Sequence, residues 1–247
     1  MINKIYLKFL EIIIGIIDAP NKRKILNFFK KHFNNKEITI IDIGAHKGET
    51  IELFRENFNL KKIFAFEPNN KLFTDLISKK KFQNKYLEIN NFGVGQKSEI
   101  KELNIMSESS SSTFNDLDLS SKYYNKKNFI VNMFSSKKGM VEQRQEVKII
   151  NLSDFIKEKN ITKIDLLKID TEGYEYNIIK GIHSSNLGNI DFIYFEHHYD
   201  LMIKKHYKFS NLNDYLNKNN FFQIFKIKMN FRKTFEYIYK NSKTAIN

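Results

Sequence analysis

Residues 41–50 read IDIGAHKGET, and the reading of this stretch decides the fold. The segment before it, EITIIDIG, is short and β-branched and ends in glycine, which is the pattern of a buried strand. The segment after it, Glu49 to Phe58, carries Leu53, Phe54 and Phe58 at helical spacing. A strand, a glycine turn and a helix begin a βαβ unit. What remains open from these residues is whether the turn holds a nucleotide or only reverses the chain. A dinucleotide loop would show G-x-G-x-x-G. Here Gly44 and Gly48 are spaced G-x-x-x-G, and His46 stands where a second close-approach glycine would be. The lysine–serine pair of a phosphate loop is absent too, since the stretch ends G-E-T. Pyrophosphate and triphosphate are poorly served; a ligand without phosphate fits better.

Working outward, the period repeats. KKIFAFEP (Lys61 to Pro68) reads as a second strand, NKLFTDLISKKKF as a second helix, and KYLEINNFGVG (Lys85 to Gly95) as a third strand running into a glycine turn. This βαβαβ run, at a period of roughly 25 residues, predicts a parallel sheet with helices on its faces. IKELNIM and QEVKII read as strands, and NLSDFIKEKN as a helix with Ser153 as N-cap. The period resumes with the strand KIDLLKID (Lys163 to Asp170), the helix TEGYEYNIIKGI and the strand NIDFIYFEHH (Asn189 to His198). The helix NLNDYLNKNN and a last strand, FFQIFKIK (Phe221 to Lys228), follow; the tail with YIYK is a short strand or irregular. Between these parts lies the polar, serine-rich segment Ser107 to Asn128, which reads as linker or as a lid over a binding site. Upstream of IDIGAHKGET, two helical pieces are expected, Asn3 to Ile17 and Lys22 to Phe33, parted by a turn at DAPNK.

The 247 residues suit one generous domain, or one with appendages, and the 41% hydrophobic and 14% aromatic content is enough for a core. With no cysteine, disulfides, thiolate chemistry and cysteine-held zinc are excluded, which fits a reducing compartment. The formal charge of +13 comes from scattered lysines and reads as compositional, with a mild pull on acidic partners. The longest uncharged apolar run near the N-terminus, Ile12 to Ile17, is far short of the roughly 18–20 residues of a membrane span. The first helix is expected to pack on the domain, with an interfacial membrane helix as the alternative. A soluble, cytoplasmic protein without a transmembrane segment is expected.

In a parallel sheet, ligands gather at the carboxyl ends of the strands, so the chemistry is read there. The second strand ends in Glu67, 23 residues after Gly44, the distance at which an acid accepts hydrogen bonds from ribose hydroxyls. An adenosine without phosphate over a D-x-G-x-x-x-G turn describes S-adenosylmethionine. IDIGAHKGET, FAFEP, NNFGVG, SSSSTF and above all LLKIDTEGYEYNIIKG together resemble the FkbM-type methyltransferase family, from about Glu37 to His198. The first block is shared by many methyltransferases, and the K-I-D-x-E-G block is the specific one.

The resemblance implies a class I, Rossmann-like sandwich: α/β, with a mostly parallel central sheet of about seven strands and helices on both faces. The first 36 residues and the last 45 or so carry little of it, and with the helical pieces read upstream the expected division is an N-terminal helical appendage over 1–36 and a methyltransferase domain over 37–247. It implies S-adenosylmethionine as cofactor, with Asp42, Gly44, Ala45, His46 and Gly48 at the methionine end, Glu67 on the ribose, and Asn91 and Phe92 flanking the adenine. Many methyltransferases carry an acid at that last position, where this chain has Asn90 and Asn91. Asp170 would end the fourth core strand beside the transferred methyl; its structural alternative is an N-cap for the next helix, with Glu172 helping the dipole. Lys168, two residues back in the same strand, requires a carboxylate partner. His197 or His198 is a candidate general base. Asp170, Glu196 and the histidines could ligate Mg²⁺, but the spacing does not compel it and no metal is assigned.

The reading is O-methylation of a hydroxyl on a sugar, as surface glycan or nucleotide-linked precursor, or on a secondary metabolite. The acceptor would be a small molecule or glycan, with phosphorylated or acidic ones mildly favoured by the charge. The rival class is a non-catalytic methyltransferase-like module holding nucleic acid or another anionic surface through its lysines. No aromatic-basic recognition motif supports that rival.

Overall fold

The chain enters its sheet through β1 (Ile38–Ile43), whose six residues are all buried. The structure, a computed structural model, describes residues 2–107, 111–134 and 139–244. α1 (Ile2–Phe33) precedes β1; α2 (Glu49–Asn57), β2 (Leu60–Phe66), α3 (Asn70–Ser78) and β3 (Leu87–Asn90) follow it. Then come β4 (Gly93–Gly95), β5 (Glu99–Met106), α4 (Lys122–Val131), β6 (Val141–Asn151), α5 (Leu152–Glu158) and β7 (Ile164–Ile169). The chain closes with α6 (Glu175–Gly181), α7 (Ser184–Leu187), β8 (Ile190–His198), α8 (Phe209–Lys218), β9 (Phe221–Lys228) and β10 (Thr234–Asn241).

Seven strands form one sheet in the order β3-β2-β1-β7-β8-β10-β9. β3, β2, β1, β7 and β8 pair in parallel, and β10 runs antiparallel to both its neighbours. Strand period dictates two cores. Ile41, Ile43, Phe64, Phe66, Leu167 and Ile169 face one side, where α5, α6 and α8 pack. Ile38, Ile40, Ile63, Ala65 and Leu166 face the other, against α2, α3 and the second half of α1 through Ile25, Phe29 and Phe33. The chain leaves β1 for β2 and β3 on one side, then returns to β7 on the other. The carboxyl ends of β1 and β7 are therefore the switch point at which such sheets bind ligands.

Several elements differ from the sequence reading. α1 is one helix carrying Pro20 inside it, with no turn at Asp18 to Lys22. A proline removes one helix bond, and tertiary contacts collect there instead: Asn230 Nδ2 donates to the Ile17 carbonyl at 3.0 Å, Asn21 Nδ2 to the Lys228 carbonyl at 3.0 Å, and Arg232 pairs with Asp18. Lys85 to Gly95 is split between two sheets, because Gly93–Gly95 leave the main sheet and join β5 and β6 in a three-stranded one. The N-cap of α5 is Asn151, whose side chain accepts from Ser153 N at 2.8 Å; Ser153 Oγ instead accepts from His183 N, also at 2.8 Å. The tail is a full eight-residue strand, β10, set inside the sheet. Part of the serine-rich segment is helix: Ser121 caps α4 by accepting from Tyr124 N at 3.1 Å. The rest of that segment is pinned by bridges from Thr113 to Asn104 and from Leu117 to Ile203; Glu108 to Ser110 lie outside the described residues. Among the described residues, no helix is long and apolar enough to cross a membrane.

Candidate active site

A cavity of about 940 Å³ opens at the switch point. Its floor is the carboxyl edge of β1, β2, β7 and β8 together with β10, and its roof is the first half of α1 with α4. Ion pairs clasp that roof down: Lys47 reaches Glu11 at 2.8 Å, and Arg232 binds Asp18.

On the β1–β2 side the wall is a loop laid bare by glycine. Gly44 has φ +86°, and a Cβ there would lie 1.9 Å from the Asp170 carbonyl oxygen, so any side chain would separate β1 from β7. His46 follows in the left-handed region at φ 51°; its N–H donates to Glu67 at 2.7 Å and its ring meets Glu49 at 3.2 Å. Burial opposes charge on Glu49, yet the His46 hydrogen bond and charge outweigh it and bring the carboxyl to about 2. Glu67 also accepts from Asn69 N at 2.9 Å. Burial still pushes its carboxyl up to about 7. Leu72, Phe92, Val94 and Leu103 supply an apolar wall beyond it. A glycine cradle, a buried carboxylate with lone pairs left over and an apolar slot, with the loop's Lys47 turned onto Glu11, fit a nucleoside carrying no phosphate.

On the β7–β8–β10 side the wall is ionic. Lys168 is buried between Asp42 at 3.2 Å and Asp170 at 3.4 Å. Burial disfavours its charge, but those carboxylates hold it protonated and raise its pKa. Alternation along β8 turns Tyr194, Glu196 and His198 into the cavity. His198 lies 3.1 Å from Glu172, 3.2 Å from Glu196 and 3.5 Å from Asp200. Burial opposes its charge, and these acids overcome it, raising its pKa well above the usual histidine range. Glu236 on β10 is in register with Glu196 and accepts a hydrogen bond from the Tyr194 hydroxyl. Burial and the Glu196 charge push its carboxyl up to about 8. Burial likewise raises Glu172 to about 7. Ser111, Ser112, Tyr123 and Lys127 close the far wall, tied in place by Thr113 Oγ1, which donates to the Glu172 carbonyl at 2.8 Å.

Of the residues expected from the sequence, Gly44, Ala45, His46, Glu67, Phe92, Asp170 and His198 meet at this cavity. Others stand behind it. Asp42 is fully buried beneath Lys168. Gly48 faces Phe82 and Leu76, where it lets α2 start against α3. Asn91 braces strand ends by donating to the Glu67 carbonyl at 2.9 Å. His197 points through the sheet to the opposite face, 3.9 Å from Glu175 and among Tyr199, Tyr207 and Phe209. Asp170 caps no helix, since α6 starts five residues later behind Tyr174. Glu236, Tyr194 and Arg232 carried no signal in the sequence reading. They belong to β8 and to the tail, and only the antiparallel return of β10 brings the tail to the site. The alternation of TFEYIYKN, with Glu236 among inward residues, was the available clue.

Residues 42–222 match the family model described as Methyltransferase FkbM domain. The chain belongs to the FkbM methyltransferase domain family. S-adenosylmethionine is accordingly its cofactor, which agrees with the cradle described above. A comparison with curated protein sequences returned no match. Among solved structures, methyltransferase FkbM from Methylobacillus flagellatus KT is similar at 12% identity and a TM-score of 0.53, over 82% of this chain and 44% of that one. The chain thus spans less than half the length of that protein. The METTL16 MTase domain is similar at 11% identity and a TM-score of 0.50, over 90% of this chain and 67% of that one. TrmK of M. capricolum, solved with S-adenosylhomocysteine, gives 16% identity and a TM-score of 0.48 over 88% and 68%. At these identities the likeness is one of fold. The FkbM match stops short of β10, so Glu236 and Arg232 lie outside the family's shared block.

Proposed function

We propose that this FkbM-domain protein methylates a hydroxyl of a sugar, as a glycan or a nucleotide-linked precursor, or of a hydroxylated secondary metabolite. The observation that carries this reading is the ionic wall facing the donor loop. Asp170, Glu172, Glu196 and Glu236 stand there with His198 and Arg232, so acceptors and donors of hydrogen bonds are interleaved around one space. A polyhydroxylated acceptor satisfies such a wall; an apolar acceptor would leave it unpaired. The same carboxylates oppose a nucleic-acid backbone entering the cavity. Exposed Lys126 and Lys233, farther out on the lining, suit an acceptor that carries a phosphate.

When bound, S-adenosylmethionine supplies an electrophilic methyl group. The protein's own work is then placement and proton removal. Gly44 gives backbone access to the donor, and Glu67 offers its free lone pairs to ribose hydroxyls. Asp170 stands at the junction of donor and acceptor sides. Glu172, with its carboxyl raised to about 7, is suited to take a hydroxyl proton near neutral pH, while Glu236, raised to about 8, keeps its own proton there and offers it as a hydrogen-bond donor. His198, held as a cation, donates hydrogen bonds to the acceptor or to the carboxylates and does not serve as base. Asp42 acts by positioning Lys168.

The test is calorimetry with S-adenosylhomocysteine, then transfer of a labelled methyl group to a panel of free and nucleotide-linked sugars. Binding with transfer to a hydroxyl is expected. Absence of cofactor binding by the folded protein sinks the reading. Methyl transfer to a nitrogen or carbon acceptor alone sinks the O-methylation part.

A further inference from the structure

The first half of α1 is apolar on more than one side. Leu7, Leu10 and Ile14 line the cavity. Ile5, Phe9, Ile12, Ile13 and Ile16 turn outward, with Ile5 65%, Phe9 58% and Ile16 68% exposed. Their spacing makes one continuous helical stripe. A helix apolar over so much of its circumference is stable where protein or lipid covers those faces.

The stripe extends at both ends. Tyr6 packs edge-on against Phe134 at 5.0 Å, which brings in Met133 and Phe134 beyond α4, 47% and 55% exposed. At the other end, the hydrogen bond from Asn230 to the Ile17 carbonyl seats the β9–β10 turn on α1. The next residue of that turn, Phe231, is 94% exposed. One apolar band therefore runs from Phe134, along α1, to Phe231.

Charge selects what covers this band. The acids of this stretch, Glu11 and Asp18, are committed to Lys47 and Arg232. Lys8, Arg23, Lys24 and Lys233 are exposed beside it, on a chain of net charge +13. A second copy would set basic flank against basic flank. An anionic bilayer offers acyl chains to the stripe and phosphates to the lysines.

We propose that the outer face of α1, with the end of α4 and the β9–β10 turn, is a docking surface for an anionic membrane. α1 lies in the plane of the lipid headgroups and does not cross the bilayer. Because the inner face of the same helix roofs the cavity, docking sets the active site directly against the lipid surface.

The experiment is co-sedimentation of the full chain with vesicles of phosphatidylglycerol mixed into phosphatidylcholine, against phosphatidylcholine alone, over a salt series. The expected result is binding to the anionic vesicles that weakens as salt rises. The double variant Phe9→Ser, Ile16→Ser should lower the partition constant roughly tenfold or more. Its melting temperature and S-adenosylhomocysteine affinity should stay unchanged, since neither side chain faces the cavity. The charge variant Arg23→Gln, Lys24→Gln should flatten the salt dependence. No sedimentation with anionic vesicles overturns the proposal, and so does equal partitioning of wild type and the double variant. A dimer detected by ultracentrifugation without lipid, and lost in the double variant, also overturns it, assigning the face to a second copy.

Discussion

Glu236 and Glu196 lie side by side across β8 and β10, and two buried carboxylates in register cannot both ionise cheaply. The proton stays on Glu236, whose carboxyl moves from the ordinary 4.5 to about 8. Folded protein then binds a proton that unfolded chain releases, so Glu236 erodes stability as pH rises from about 4.5 through about 8. His198 acts in the same direction: its raised pKa adds stability that is complete below its unfolded value and lost as pH climbs through the folded one. Glu236→Gln should match wild type near pH 4.5 and exceed it at about pH 9 by at least ~1 kcal/mol, measured by urea unfolding. Parallel curves for the two proteins would show that Glu236 carries no raised pKa. Gly44→Ala should abolish cofactor binding by calorimetry and lower stability by about 2–3 kcal/mol, because the added methyl meets the Asp170 carbonyl in a backbone region closed to alanine. Gly44 and Glu67 were legible because loop and strand-end chemistry is local. The adjacent pair His197 and His198 was not separable in the sequence: strand alternation sends one into the cavity and the other to the opposite core, and the strand's phase is set by its neighbours.

α1 shows the same division at the scale of an element. Its second half is ordinary core helix, with Phe29 and Phe33 packed on Phe192. Its first half rests on the cavity through clasps at Glu11 and Asp18. Pro20 suggests a break from sequence alone, since the cost of a proline is local; the contacts that carry the helix through it come from the β9–β10 turn, more than 200 residues away. Asp18→Ala leaves the Arg232 guanidinium, half-buried, without its partner. A loss of about 1–2 kcal/mol is expected. Limited proteolysis with mass spectrometry should show faster cleavage before Pro20, with the sheet intact. Unchanged cleavage would mean the clasp does not hold the roof. The serine-rich segment was equally hard to read, because its order comes from Thr113 pairing back onto Asn104 of β5 and from Leu117 pairing with Ile203, far off in sequence, while its own composition is that of a linker.

Taken whole, the molecule joins a basic surface to an acidic pocket, and the net charge of +13 says nothing of the latter. The parallel half of the sheet was legible because each strand is apolar, short and followed by its helix. The antiparallel edge was not, because β10 pairs with β8 across 35 residues of intervening chain or more. That insertion has a consequence for biosynthesis. On the ribosome, β8 and β9 emerge before the strand that belongs between them. A nascent chain that has reached Lys228 therefore presents two apolar strand edges with nothing to fill the slot, the kind of edge that other chains pair with. A chain cut after Lys228 should lack a cooperative unfolding transition in calorimetry, and a synthetic peptide of residues 229–244 supplied in trans should restore it.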